Sequence, residues 1–386
     1  MSRLRWKTAG ESHGPCLIAM LEGLPAGLPL DLERANQEMT RRQGGYGRGG
    51  RMKIERDHVE ILSGTKAGLT IGSPIALRVP NKDAVIERLP IPSNPRPGHA
   101  DLAGCQKFGH RDARAVLERA SARETAARVA LAGIARQLLE HFQIEVFGHL
   151  VELGGVRADR GCFDQHPERG QREELRAASD FQCLDPATEE AMRAAVDEAR
   201  ANGDSLGGRF EVRALGLPPG LGSYASGPER LTARLGGALF SIPAMKAVEF
   251  GLGLEAGRRP GSLVHDPILV ADEAHPSRWG RFARASNNAG GLEGGMTTGE
   301  AIVTTVTMKP IPSLRQGIES VDFNTGEPCR ANYERSDVTS VPAASVVGEA
   351  EVALVLTDAF LDKFGGDSMA EVEGAFAAYA DRLRSI

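Results

Sequence analysis

A chain of 386 residues that is 41% hydrophobic carries enough apolar side chains for a sizeable core. Its net charge of -5 gives no long-range attraction for nucleic acid or an anionic membrane. No window approaches the ~20 apolar residues of a membrane span, and no apolar run follows the charges at the start, so membrane insertion and secretion are disfavoured. Five dispersed cysteines (Cys16, Cys105, Cys162, Cys183, Cys329) form no CxxC pair, which suits reduced thiols in a cytosol and offers no cysteine metal site.

In chain order, a strand over residues 3–8 leads into Gly10-Glu11-Ser12-His13-Gly14 and an apolar strand over residues 17–21. His13 in that turn is either an exposed loop residue or an acid–base group, because imidazole titrates near neutrality. Asp31 is placed to cap a helix running through Met39. Residues 41–51 then gather four arginines and five glycines with no acidic residue among them. That composition points to an anion-binding loop: glycine lets the backbone approach a ligand, and arginine offers a planar fork of donors. A solvated basic loop and an RGG-type nucleic-acid segment are the alternatives. The acidic average of the chain argues that the partner of these arginines is small and anionic.

Residues 59–62 and 71–79 read as strands of an antiparallel sheet broken by glycine turns. A proline-stiffened connection over residues 89–97 ends at Arg96-Pro97-Gly98-His99-Ala100-Asp101, where His99 beside Asp101 is either a surface ion pair or a second acid–base group. Ser121 with Glu124 fits a capping box opening a helix whose stripe includes Val129, Leu131, Ile134, Leu138 and Leu139. Its N-terminus offers a second anion site, or simply a capped core helix. Residues 151–202 are charged and loop-rich, with one amphipathic helix over residues 189–201. A strand over residues 209–215, a helix from about Pro228 to Ser241 broken at Pro243, and a strand over residues 246–251 follow. Lys246 carries no pyridoxal pattern and reads as a solvated charge. Residues 287–299 concentrate amides, hydroxyls and glycines able to lie against a ring. Residues 302–308 are a β-branched strand ended by Pro310 and Pro312. Two helices, over residues 344–363 and 368–384, close the chain, the second opening with a Ser368–Glu371 capping box and burying Val372, Phe376, Tyr379 and Leu383.

Residues 10–14, 41–51, 96–102, 119–125, 203–208, 241–251, 287–299, 309–310 and 335–337 together resemble chorismate synthase, nine motifs in order across nearly the whole chain. The resemblance implies an α+β fold, a β-α-β sandwich with central helices between antiparallel sheets, formed by residues 1–386 as one domain. It also implies a homotetramer in the cytoplasm. The activity implied is that of a carbon–oxygen lyase. It turns 5-enolpyruvylshikimate 3-phosphate into chorismate and phosphate by anti-1,4-elimination, the last common step of the shikimate pathway towards aromatic amino acids. Reduced FMN is required, with no net redox change.

By matching positions, the resemblance assigns Arg42, Arg48, Arg96 and Arg123 to the substrate. His13 would protonate or stabilise the reduced flavin, His99 would assist phosphate departure, and Asp337 would help remove the proton. The flavin contacts would be Arg119, Ala120, Ser121, Pro243, Ala244, Gly294, Lys309, Pro310, Ile311, Pro312, Ser313 and Arg335, and no metal is implied. A substrate with one phosphate and two carboxylates carries about four negative charges, which accounts for so many arginines at a small-molecule site. Many relatives carry Asn or Gln where this chain has Pro243, a position that in the family reaches the flavin of a neighbouring subunit. Pro243 leaves only a carbonyl or a packing contact there. NADPH enters only if the chain reduces its own flavin. No GxGxxG fingerprint opens a helix, so an external flavin reductase is expected.

Overall fold

The computed structural model describes residues 3–49, 56–334 and 336–386. Strands β1 (Arg5–Ala9), β2 (Cys16–Glu22), β3 (Glu60–Ser63) and β4 (Ile75–Pro80) form an antiparallel sheet in the order β1-β2-β4-β3. Leu17, Ala19 and Leu21 on β2 and Ile75, Leu77 and Val79 on β4 are buried at period two, which gives the sheet one apolar face. Within the span expected over residues 71–79 the strand itself starts at Ile75, after the Gly72-Ser73-Pro74 turn, where Gly72 adopts φ +75°.

A second antiparallel sheet contains β5 (Glu145–Leu153), β6 (Val156–Arg157), β7 (Gly208–Leu215), β8 (Met245–Phe250) and β9 (Ile302–Met308), in the order β8-β9-β7-β5-β6. Among the described residues the helices of eight residues or more are α1 (Leu32–Gln43), α2 (Asp101–Phe108), α3 (Ala113–Ala120), α4 (Thr125–His141), α5 (Arg169–Ala178), α6 (Glu189–Ala201), α7 (Leu231–Phe240), α8 (Val341–Phe364) and α9 (Met369–Ser385). The fold is α+β. Helix α4 packs on β2 and β4, α8 packs on β5 and β7, and α4 and α8 pack on each other. Each is buried nearly all round, as a helix covered on both sides must be. Gly348 permits the close seating of α8: a Cβ there would stand 2.3 Å from Phe210 on β7.

Several local readings change. The Asp31 cap is present, its carboxylate accepting from the Glu33 and Arg34 amides, but α1 runs four residues past Met39. Arg41 and Arg42 therefore lie on a helix, and the glycine loop starts at Gly44. The extension is stabilised by charge pairing inside the core. Arg41 bonds Glu38 at 2.5 Å and Glu349 at 3.0 Å, and Arg136 and Arg176 converge on the same Glu349. Burial would raise the Glu349 carboxyl, but these three guanidiniums hold it well below its usual range.

The Ser121 capping box does not form. Ser121 Oγ accepts from the Arg123 amide, yet Glu124 turns away to Thr8 and Arg128. A 3₁₀ turn, Ala122–Glu124, intervenes, and α4 starts at Thr125. At α9 the return half of the box is present, with Glu371 accepting from the Ser368 amide at 2.9 Å. Val372 is buried there, and Phe376 and Tyr379 pack partly buried against the core. Helix α5 lies within the charged, loop-rich segment, where the sequence predicts only the helix over residues 189–201. Its buried positions are Arg172 and Arg176, so it lacks the apolar stripe that would have announced it.

Candidate active site

A cavity of about 650 Å³ opens where the two sheets' connecting segments meet the ends of α1, α3, α4 and α8. Arg42, Arg48, Arg96, Arg123, His13, His99, Asp337 and Lys309 all line it, although they come from stretches spread from residue 13 to residue 337 of the sequence. Most of its cations are held from behind by carboxylates, so the donors are pre-set rather than free to search for a ligand.

Arg42, on the last turn of α1, gives Nε to Thr125 Oγ1 at 3.1 Å and Nη2 to the Ala122 carbonyl at 2.8 Å. Arg123 gives Nη1 to both oxygens of Asp57 at 2.6 Å and Nε to Asn81 Oδ1 at 3.0 Å. Asp57 also lies 3.5 Å from Arg42 and is fully buried, so one carboxylate serves two arginines. Burial, with Arg123 and Arg48 nearby, lowers the Arg42 guanidinium to about 10 despite the opposing pull of Asp57. It remains charged at neutral pH.

Arg48 stands in the loop after α1. Its Nη1 is 2.6 Å from Asp337 Oδ2, and the Gly49 amide donates to the other oxygen at 2.5 Å. Gly47 adopts φ +83° and its carbonyl accepts from the Val338 amide at 2.8 Å, which fixes the loop against the segment carrying Asp337.

Two histidines each have one nitrogen committed. His99 Nδ1 lies 2.5 Å from Asp101 Oδ1. Arg96 Nη2 is 3.0 Å from that same nitrogen, but as a donor it gives its hydrogen to Asp101, which Arg96 grips with Nε at 2.8 Å and Nη2 at 3.0 Å. Burial would raise the Asp101 carboxyl. Hydrogen bonds from His99 and Arg96 reverse that and hold it far below the carboxylate range. Asp101 is buried and His99, which lines the cavity, is partly so; the pair is not a surface contact. His13 Nδ1 is 3.0 Å from Glu118, which also accepts from the His13 amide at 2.7 Å, and Nε2 faces Asp83 at 4.0 Å. Glu118 is kept low by these bonds against the upward push of burial. In both rings Nδ1 carries the bond to a carboxylate of the chain.

Ile242, Met308, Ile311, Ala344 and Val347 add apolar surface to the same cavity, which Ser121 and Ser313 also line. Ala244 adopts φ +73°, a left-handed conformation unusual for a residue with a side chain, and its carbonyl accepts from the Lys309 amide at 3.0 Å. The Lys309 ammonium donates to the Gly98 carbonyl, and burial together with Lys246 lowers its pKa.

Of the flavin positions, Ala120, Ser121, Pro243, Ala244, Lys309, Ile311, Pro312 and Ser313 line the cavity. Three do not. Arg119 bends back to the carbonyls of Thr8 and Gly10. Pro310 lies over Gly207, and Gly294 sits at φ +58° in the turn between the short strands Leu292–Glu293 and Met296–Thr297. The amides expected to face a ring there are used locally, with Asn287 bonding the Ala301 carbonyl and the Gly291 amide. Arg335 and Arg51 lie outside the described residues. Sequence reasoning missed Asp57, Asn81, Asp83 and Glu118. Nothing in their local pattern announces them, since their partners Arg42, Arg123 and His13 lie 15 to 105 residues away. Among the described residues, no three His, Cys, Asp or Glu side chains are placed to hold a metal, and no helix is long and apolar enough to cross a membrane.

The profile of the family described as chorismate synthase matches residues 4–361. The chain is 50% identical to the chorismate synthase of Geobacter sulfurreducens over 396 residues, covering 99% of this chain and 100% of that one. It is 51% identical to that of Trichlorobacter lovleyi over 399 residues, with the same coverage. A solved structure described as a crystal structure of chorismate synthase matches with a TM-score of 0.82 and 41% identity over 100% of both chains.

Proposed function

The chain belongs to the chorismate synthase family, and from that membership and the make-up of the cleft we propose that it converts 5-enolpyruvylshikimate 3-phosphate to chorismate and phosphate with reduced FMN. In the reaction the allylic C–O bond to phosphate breaks, a ring proton is lost, and a second double bond forms, with no net oxidation. The observation that carries the reading is the convergence of Arg48, His99 and Lys309, with three further arginines, on one cavity of about 650 Å³. That volume lies within the roughly 300–1,000 Å³ of small-molecule sites.

The residues present fit a flavin. The apolar wall of Ile242, Met308, Ile311 and Val347 suits a ring system, and Ala120, Ser121, Pro243, Ala244, Lys309 and Ser313 would hold it. When bound, reduced FMN supplies electron density to an allylic system whose hydrogen no carbonyl acidifies, and recovers it by the end of the reaction. Arg42, Arg48, Arg96 and Arg123 bind and orient the polyanion. His99 Nε2 holds a proton for the departing phosphate, with Asp101 stabilising the imidazolium that gives it. His13 Nε2 holds a proton on the flavin side, steadied by Glu118, and Asp337 is the carboxylate available for the ring proton.

We read the architecture as a β-α-β sandwich in one domain, supported by the seating of α4 on one sheet and α8 on the other. A homotetramer fits the exposed apolar ribbon of Ile268, Val270 and Phe282, with Leu254 and Leu263 also exposed. Residence in the cytoplasm and reduction of the flavin by an external enzyme complete the proposal. Anaerobic turnover with catalytic, dithionite-reduced FMN tests it, expecting chorismate and phosphate in equal amounts with the flavin unconsumed. Turnover in air without flavin, or stoichiometric consumption of NAD(P)H, would overturn it.

A further inference from the structure

Arg128, on the first turn of α4, is not among the residues lining the cavity, yet its guanidinium meets three of the segments that do. Its Nε lies 3.0 Å from both oxygens of Glu124, in the turn that carries Ala122 and Arg123 into the wall. Its Nη1 donates to Ser241 Oγ at 2.6 Å, immediately before Ile242, Pro243 and Ala244. The same Nη1 donates to Glu351 Oε1 at 3.0 Å. Glu351 is buried on α8 four residues beyond Val347, so it shares a face with the apolar side chains that α8 gives to the cavity. The Trp6 ring covers the guanidinium, 5.9 Å from its carbon, and limits the positions the side chain can take.

We propose that Arg128 is a positioning residue, a clamp that sets the 122–124 turn, the 241–244 elbow and the α8 face in register, and so keeps the flavin wall formed before any ligand arrives. A planar guanidinium with diverging donors suits this task, because it can serve three acceptors lying in different directions, which an ammonium on a flexible stem does less well. The elbow is where such help is needed. Ala244 is held at φ +73°, a conformation that is strained for a residue with a Cβ and persists only where its surroundings enforce it. The Lys309 amide fixes one end of the elbow through the Ala244 carbonyl, and Arg128 fixes the other through Ser241. Ser241 in turn donates to the Ala238 carbonyl at the end of α7, so the bond also sets the angle at which the elbow leaves that helix. The identity of the ligand rests on the function proposed above. The clamp itself rests on these contacts.

Two variants and two readouts test it. Ser241→Ala removes one arm from an exposed side chain, and Arg128→Lys keeps the charge while removing the fork. Hydrogen exchange of the ligand-free chain should rise in residues 242–248 for Ser241→Ala, and in both residues 122–126 and 242–248 for Arg128→Lys. The dissociation constant for FMN, followed by flavin fluorescence, should rise about 5- to 20-fold in both variants, with KM for FMN rising alongside and kcat retained within about threefold. Unchanged exchange and FMN affinity in folded variants would overturn the clamp, and so would a fall in kcat with FMN binding intact. A wild-type chain that bound no FMN would instead overturn the proposed function, and with it the ligand assigned to this wall.

Discussion

Arg48 Nη1 lies 2.6 Å from the Asp337 carboxylate, which the Gly49 amide and the Ser340 hydroxyl also hold. The loop cation and the proposed base are therefore delivered to the cavity as one unit. A polyanion entering the cleft meets an arginine whose direction is already set, and the carboxylate it faces is oriented by the same contacts.

Replacing Arg48 with Ala should raise the dissociation constant for 5-enolpyruvylshikimate 3-phosphate about 10²-fold, the scale expected on losing a desolvated charge-assisted contact. FMN affinity should stay within about threefold, because the residues assigned to the flavin are Ala120, Ser121, Pro243, Ala244, Lys309 and Ser313 and not Arg48. Calorimetric titration of each ligand separates the two. Loss of flavin binding with substrate binding intact would contradict the role given to this residue.

His99→Ala should lower kcat by about 10²-fold or more with little change in substrate affinity, since the charge it answers develops as phosphate leaves. Asp101→Asn should also lower kcat, by about 10-fold or more, and should in addition weaken substrate binding, because Arg96 loses its bidentate partner. Steady-state kinetics of the two variants distinguish a proton-holding role from an orienting one.

Burial and the nearby Glu124 push the Glu351 carboxyl up to about 7 against the opposing pull of Arg128. Its folded pKa is above its unfolded value, so the stability it contributes is present below about pH 4.5 and is lost as pH rises through about 7. Relative to Glu351→Gln, the wild type should lose up to about 3 kcal/mol between pH 4.5 and 8, measured by denaturant unfolding across that range. Asp101, Glu118 and Glu349 work in the opposite sense. Their depressed values contribute stability above the usual carboxylate range that is lost on acidification below about pH 4.

Val270 and Phe282 face each other across a two-stranded ribbon and are both exposed. Placing a charge there by Val270→Asp should shift the chain to smaller assemblies in sedimentation velocity with its melting temperature little changed. An unaltered assembly would move the contact between copies elsewhere.

How much the sequence could reveal follows the reach of each interaction. Residues 302–308 and 189–201 read correctly because β-branched composition and helical spacing are local signals. The helix carrying Arg42 was underestimated because its continuation depends on Arg41 pairing with Glu349, more than 300 residues away. The Ser121 box failed for the same reason: Glu124 has better partners in Thr8 and Arg128. Arginines matched by motif fell into the cavity, whereas Asp57, which steadies two of them, carries no motif at all. Gly294 and Arg119 show the converse, residues assigned by position that lie off the cavity of the single chain.

The most direct measurement is a crystal structure of the chain with FMN and 5-enolpyruvylshikimate 3-phosphate. The account predicts density for both in the one cleft, the flavin along Ile242, Met308 and Val347 and the phosphate within reach of His99 and the arginines. Density for either ligand away from Arg48, His99 and Lys309 would contradict it.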